Sequence, residues 1–400
     1  MNCASYALGL LLVVNLFNYI DRQVLYAIFP LLKTDLHLSD TELGILGSAF
    51  MIFYMVSAPL LGWLGDRMSR TRLGSCGLSL WSFATLFAGL ASGYRTLLAA
   101  RTVVGIGEAS FGTVAPGLLS DYFPKEKRGR ILSFFYLAIP VGSALGYLFG
   151  GLLGQRFGWH SAFLMVGFPS LLLAIPLWFL RETDKGEGKE KAGAVKGVEE
   201  YLQLLTNRSF VTNTLAMAAM TFALGGLAQW VPTFLYRVHN LSVGNGNTLF
   251  GVITVFAGIS GTLAGGWLGD HLQMRSPKGY LLVSGWGFLL GAPVTAFALL
   301  ATSVNACLTS IFIAEFLLFL NTGPLNTVVV NVTRPSVRAM AFAVNIFFIH
   351  ALGDAVSPTI LGVLSDAWGL RSSLLITPLA VLVASFFTFI CMRYIEGDTA

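Results

Sequence analysis

Charge is scarce in this sequence. Of 400 residues, 11% are Asp, Glu, Lys or Arg, whereas 55% are hydrophobic and the mean hydropathy is +0.72. A water-soluble domain carries about 25% charged residues, so the composition points to an integral membrane protein. Cysteine is also sparse: Cys3, Cys76, Cys307 and Cys391 lie far apart, with neither paired nor metal-type spacing, and give no basis for disulfides or a metal site. Only one of the five histidines, His350, falls well inside an apolar segment, and no nucleophile motif is present. Nothing here suggests an enzyme or a cofactor. The N-terminus lacks the basic region and small-residue cleavage site of a secretory signal, so the first apolar segment is expected to persist as a helix.

What the chain has in quantity is apolar windows long enough to span a bilayer, for which about 20 residues suffice. These predict an all-α membrane protein of twelve transmembrane helices in two six-helix bundles. The helices are placed near 5–32, 41–65, 73–92, 95–119, 129–154 and 160–180, then near 209–237, 246–269, 279–302, 305–330, 339–364 and 371–394. The net charge of +5 is no sign of nucleic-acid binding, because the basic residues sort by membrane side. With both termini cytoplasmic, the loops after helices 2, 4, 6, 8 and 10 and the C-terminus hold 18 of the 25 Lys and Arg residues. The opposite loops hold Lys33, Arg95, Arg156, Arg237 and Arg371, while Arg22 and Arg101 fall inside helices. The expected location is a bacterial inner membrane.

One long hydrophilic stretch, 181–208, divides the chain into an N-terminal bundle (1–180) and a C-terminal bundle (209–400). Its Gly- and Lys-rich front reads as linker, and "VEEYLQLL" as a short amphipathic helix on the membrane surface. Across this divide the halves echo each other. "GWLGDRMSR" at 62–70 returns as "GWLGDHLQM" at 266–274, and "APGLLSDYFPKEKRGR" at 115–130 returns more faintly at 323–340. A parallel six-plus-six repeat is the signature of a carrier whose bundles rock about a central site.

"GWLGDRMSRTR" between helices 2 and 3 and "RTVVGIGEAS" on helix 4 resemble the two signatures of the major facilitator superfamily. "NYIDR", "GIGEASFGTVAPGLLSDYF", "FFYLAIPVGSALGYLFGG" and "NRSF" further resemble its spinster branch, whose members move lysophospholipids and sphingoid lipids such as sphingosine 1-phosphate. The resemblance implies a proton-coupled carrier of an amphiphilic lipid, working by alternating access in the lipid bilayer, ordinarily as a monomer. Superfamily symporters of small organic anions such as sugar acids also resemble "NYIDR" followed by "GWLGDR", and are the alternative. A channel or receptor leaves the duplicated loop unexplained.

Ionisable side chains at the bilayer centre cost roughly 2.5–3.5 kcal/mol on insertion scales and usually face a partner or a water-filled cavity. Asp21 and Arg22 are therefore candidate site residues, pointing about 100° apart on their helix, with Asn18 sharing a face with both. Arg101 and Glu108 lie seven residues apart on one face of helix 4. Burial favours the neutral form of a carboxyl group and a nearby cation the charged form, so modest changes in hydration could switch Asp21 and Glu108. The two readings are ion pairs that merely tie helices together, and a working set: Asp21 and Glu108 for proton coupling, Arg22 and Arg101 for a phosphate or carboxylate. The resemblance favours the second, since the family's coupling and binding residues match these positions.

Asp66, Arg67 and Arg70 in the loop after helix 2 read as a cytoplasmic gate. Asp66 is expected to face the start of helix 11 near Ala339, and Arg70 to meet acidic groups at neighbouring helix ends. The second copy keeps Asp270 but has His271 and Met274 in place of the arginines, which predicts a weaker latch. Glycines 142, 146, 150 and 154, and 261, 265 and 269, recur every four residues and predict close helix packing, while Pro140 predicts a bend in helix 5. Glu315 and His350 are candidate substrate-binding groups in the second half, Glu315 for a contact across the cavity from Arg22 or Arg101 and His350 for a proton or headgroup role, while Tyr136 and Trp230, with Phe135 and Phe347, are candidate walls for an acyl chain. His350 also fits a hydrogen-bonded core role.

Overall fold

The computed structural model describes residues 3–182, 204–334 and 337–398, and the regular structure of these residues is helical throughout. The first six spans run Cys3–Ala27 (prolonged by Phe29–Asp35), Asp40–Arg67, Arg70–Ala88, Tyr94–Asp121, Lys125–Tyr136 with Ala138–Phe157, and Trp159–Trp178. The second six run Arg208–His239, Val243–Gln273, Gly279–Leu300, Val304–Phe319 with Thr322–Asn331, Arg338–Ile349 through Ser357–Trp368, and Leu370–Leu374 with Ile376–Cys391. Eleven are long and apolar enough to cross a membrane by length and composition. Span 3, Arg70–Ala88, is the twelfth, its 19 residues opening with Arg70 and Arg72. Most of the predicted surface helix over "VEEYLQLL" lies outside the described residues.

Proline explains where spans break. Pro140 has no N–H to offer the Tyr136 carbonyl, and span 5 is interrupted at Leu137. Span 10 breaks ahead of Pro324, span 12 ahead of Pro378, and span 1 at Ile28 ahead of Pro30. Span 11 has a π-turn at His350–Asp354, just before Pro358, with Gly353 in a non-helical conformation. Pro59 and Pro116, by contrast, sit inside continuous helices.

The described chain forms two compact units. The first holds spans 1–6 together with Val231–Gly251, and the second holds span 7 up to Trp230 and the chain from Val252 onward. Within the first, glycines of span 5 let span 1 approach at backbone distance: a Cβ at Gly142 would lie 2.8 Å from the Leu16 carbonyl oxygen, and one at Gly146 2.6 Å from that of Ile20. Spans 3 and 4 meet as closely, through Gly77 against Ser110 and Gly107 against Trp81. In the second unit, Gly261 and Gly265 of span 8 abut the backbone of span 10 at Phe316 and Leu320. Such contacts bring whole helices together without a large side chain between them.

Candidate functional site

Spans 1 and 4 bring Asp21, Arg22, Arg101 and Glu108 together in a crossed pattern. Nε of Arg22 donates to Oε2 of Glu108 at 2.7 Å, while Nη1 of Arg101 reaches Oδ1 of Asp21 at 3.4 Å. The hydroxyl of Thr85 donates to the other oxygen of Asp21. Asp21, Arg101 and Glu108 are fully buried, whereas the Arg22 side chain remains 15% exposed. Neighbouring residues on a helix diverge, so Asp21 and Arg22 serve two partners rather than each other. Each buried carboxylate thus has a guanidinium, without which its burial would be prohibitive.

The pairing is uneven. Arg22 is held tightly, and its guanidinium carbon also lies over the rings of Tyr19, Phe50 and Tyr54 at 4.9, 5.1 and 4.9 Å. Arg101 is held loosely, since 3.4 Å is beyond the usual N–H···O range, although Phe50 covers it at 4.9 Å. Nε and Nη2 of Arg101, Oε1 of Glu108 and Nδ2 of Asn18 are buried without a hydrogen-bond partner among the described residues. The cluster therefore has unused donors and an unused acceptor beside its two ion pairs.

The remaining predicted residues are dispersed. Tyr136, 47% exposed, touches Phe135 edge to face. Trp230 is fully buried in the second unit and its ring N–H donates to the Pro358 carbonyl. Glu315, also in the second unit, accepts from Thr254 at 3.2 Å and keeps Oε2 buried and unpartnered. His350 pairs with Asp354 at 2.8 Å across the π-turn. Of the gate residues, Arg70 bonds Asp121 at the end of span 4 at 2.5 Å, and Arg67 lies over Trp63 at 3.9 Å. Asp66 is exposed at the end of span 2, and the Ala339 side chain lies outside the described residues. Asp270 accepts from the Tyr280 hydroxyl at 2.8 Å, with His271 stacked on Trp267.

Three features escaped the sequence reading. Thr85 is one hydroxyl in an apolar segment and carries no local signal. At the end of the spans away from the linker, Asp40 is gripped by both Nη atoms of Arg237 at 2.7 and 2.8 Å and by Lys33 at 2.6 Å, all within the first unit. On the linker side, Glu182 accepts hydrogen bonds from the Ser69 hydroxyl (2.6 Å) and from the Thr71 N–H (3.0 Å), capping span 3. Burial alone would raise the Glu182 carboxyl. The hydrogen bonds from Ser69 and Thr71 and the charge of Arg70 outweigh it and hold the group below the usual range.

Residues 11–358 match the family model of the Major Facilitator Superfamily. Protein spinster homolog 3 of Danio rerio is 34% identical over 98% of this chain and 85% of its own length. The chain belongs to the spinster family of the major facilitator superfamily. This spinster-family protein is 31% identical to the Mus musculus "Sphingosine-1-phosphate transporter SPNS2" over 96% of its own chain and 76% of that protein. With the Drosophila melanogaster protein spinster it shares 34% identity, spanning 90% of its own chain and 62% of the longer relative. Among solved structures, a bacterial homologue of the human lysosomal transporter spinster, inward-facing and unoccupied, is 25% identical with a TM-score of 0.92, covering 100% of this chain and 99% of that one. The D-xylose–proton symporter, at 17% identity and a TM-score of 0.77 over 98% and 99% of the chains, shares the fold. The spinster-family chain is a multi-pass membrane transporter and not an enzyme.

Proposed function

We propose that this transporter is a proton-coupled carrier of lysophospholipids or sphingoid-type phospholipids, with Asp21 and Glu108 as proton-responsive groups and Arg22 and Arg101 as phosphate-binding cations. The Arg22–Glu108 pair at 2.7 Å carries this reading, because one partner is partly exposed and the other fully buried. A phosphate arriving at Arg22 competes with Glu108 for the same guanidinium. If Glu108 stays ionised, losing its cation leaves a buried charge unpaired, at a cost of about 3–5 kcal/mol. A proton on Glu108 removes that cost. Proton and anionic headgroup therefore assist each other's binding, which is the requirement for coupled movement.

Asn18, with an unpartnered Nδ2 on the Arg22 face, is assigned a headgroup contact. Asp66, Arg67, Arg70 and Asp270 are assigned to the gating loops. The charge asymmetry supports cytoplasmic termini, and the membrane assigned is a bacterial inner one. The relative named a sphingosine-1-phosphate transporter supports a lipid substrate.

The test is proteoliposome uptake of a labelled lysophospholipid beside a labelled sugar acid. The lysophospholipid is taken up and the sugar acid is not; the reverse result ends the proposal. Asp21→Asn should uncouple uptake from the pH gradient with folding preserved, and Arg22→Ala should abolish binding of phosphate-bearing lipids. Unchanged pH dependence, or intact binding, would move the site elsewhere.

A further inference from the structure

A threonine inside a helix ordinarily returns its hydroxyl proton to its own backbone. Thr102 does so to Leu98 at 3.0 Å, Thr113 to Ala109 at 2.9 Å, Thr248 to Gly244 at 2.8 Å and Thr295 to Gly291 at 2.9 Å. Thr85 breaks this habit. Its hydroxyl, 1% exposed at the residue level, leaves span 3 and donates to the Asp21 carboxylate of span 1. Thr254 repeats the arrangement in the second unit, donating to Glu315 at 3.2 Å.

Thr85 stands on a rigid support. An added Cβ at Gly77 would strike the Ser110 hydroxyl, and one at Gly107 would come within 2.7 Å of the Trp81 backbone nitrogen, so spans 3 and 4 are locked together at backbone distance. Thr85 and Arg101 thus reach Asp21 from one fixed pair of helices. The other charges acting near Asp21 are Arg22 of its own span and Glu108 of span 4. Thr85 supplies the neutral hydroxyl in the set.

That neutrality matters chemically. A guanidinium only donates, so Arg101 holds the ionised carboxylate and loses its hold when Asp21 gains a proton. A hydroxyl donates or accepts. When Asp21 is protonated, the Thr85 oxygen can accept from the new carboxyl O–H while its own proton turns to the Trp81 carbonyl, four residues back, the bond its helix offers by default. One proton is added to Asp21 and none is lost elsewhere. We propose that Thr85 is a positioning residue for Asp21, a hydroxyl rotor that keeps this carboxyl group aimed at one place in both its ionised and its protonated forms. The inference rests on Asp21 being a proton-responsive group.

The experiment is infrared difference spectroscopy of the full-length protein between alkaline and acid pH, with Asp21→Asn assigning the carboxyl C=O band. Thr85→Val keeps the shape and removes the hydroxyl. It should alter the band position and move the titration midpoint of that band upward by less than about one pH unit, because the hydroxyl bonds both forms and only the excess strength of its bond to the charged one shows as a shift. Thr85→Ser should restore both. If Thr85→Val does not purify as a monodisperse protein, Thr85→Ala carries the same test. An unaltered band position, serine and valine variants that behave alike, or no Asp21 band between about pH 4 and about pH 9 would overturn the assignment. A band lost in Asp21→Asn while the pH dependence of lysophospholipid uptake persists would instead sink the coupling role and leave the Thr85 assignment standing.

Discussion

Replacing Arg237 with alanine removes a two-pronged ion pair from Asp40 and leaves Lys33, at 2.6 Å, as a remaining cation. The magnitude lies between two limits. An exposed pair is worth about 0–1 kcal/mol, and breaking a fully buried one costs about 3–5 kcal/mol. The Asp40 side chain is 4% exposed and that of Arg237 23%, so burial argues for the upper range while Lys33, 36% exposed, compensates part of the loss. The expected cost is about 2 kcal/mol, or roughly a 30-fold change in a local opening equilibrium. Opening here means release of Val231–Gly251 from spans 1, 2 and 5. The segment is also held by the Gly244 N–H on Gln155 at 2.6 Å and by Asn247 on the Ala27 carbonyl at 3.0 Å. Hydrogen–deuterium exchange of peptides covering 231–251 should therefore accelerate by about that factor while spans 3 and 4 keep their protection. A double-mutant cycle with Asp40→Asn should return most of the energy as coupling. Acceleration below about 3-fold, or an equal rise in every span, would refute the assignment of a local latch.

Two further outcomes follow from close contacts and from one carboxylate outside the spans. Because the Glu182 group is held below the usual range, its bonds to Ser69 and Thr71 are present at neutral pH, persist through the ordinary carboxylate range and are lost only as pH falls through the depressed value. Limited proteolysis just beyond residue 182 should thus be insensitive to pH between about 8 and about 5 in the native protein and faster throughout in Glu182→Gln. A Cβ at Gly265 would overlap the Leu320 carbonyl oxygen, whereas one at Gly9 meets nothing within 4 Å. Gly265→Ala should cost about 1–3 kcal/mol and lower the melting temperature, and Gly9→Ala should be neutral or slightly stabilising.

The features legible in the sequence are those that repeat or are expensive. Spans were visible because an apolar run must be about 20 residues long to cross, the two-bundle architecture because "GWLGD" occurs twice, and the family because "GWLGDRMSRTR" and "RTVVGIGEAS" resemble its signatures. Asp21, Arg22, Arg101 and Glu108 stood out because charge in an apolar segment demands a partner. Their pairing was not visible. Arg101 and Glu108 share a helix face, yet each bonds span 1, since seven residues place them at two heights and the adjacent Asp21 and Arg22 reach both. Thr85 and the Asp40–Arg237 pair depend on contacts 64 and 197 residues apart, for which neither periodicity nor composition gives a sign. Lys33 and Arg237 were read only as members of an outer-loop charge count, although both meet the same carboxylate.

The crossed arrangement has a consequence for coupling that neither ion pair has alone. Asp21, Arg22, Arg101 and Glu108 sum to zero charge when all are ionised, the state in which burial of four charges costs least. Adding a proton leaves one uncompensated positive charge; adding an anionic headgroup leaves one uncompensated negative charge. Adding both returns the cluster to neutrality, so in a low-dielectric interior the doubly loaded and the empty states are favoured over either singly loaded one. Because Asp21 and Arg22 are consecutive on span 1, a rotation of that helix changes both pairs together, so under the proposed assignment a headgroup bound at Arg22 would be felt at Asp21 without touching it. On the proposed assignment, a carrier built this way resists moving a proton without its substrate. Neutralising Glu108 permanently, as Glu108→Gln, should therefore weaken the pH dependence of phosphate-bearing lipid binding, leaving the part due to Asp21, while slowing release.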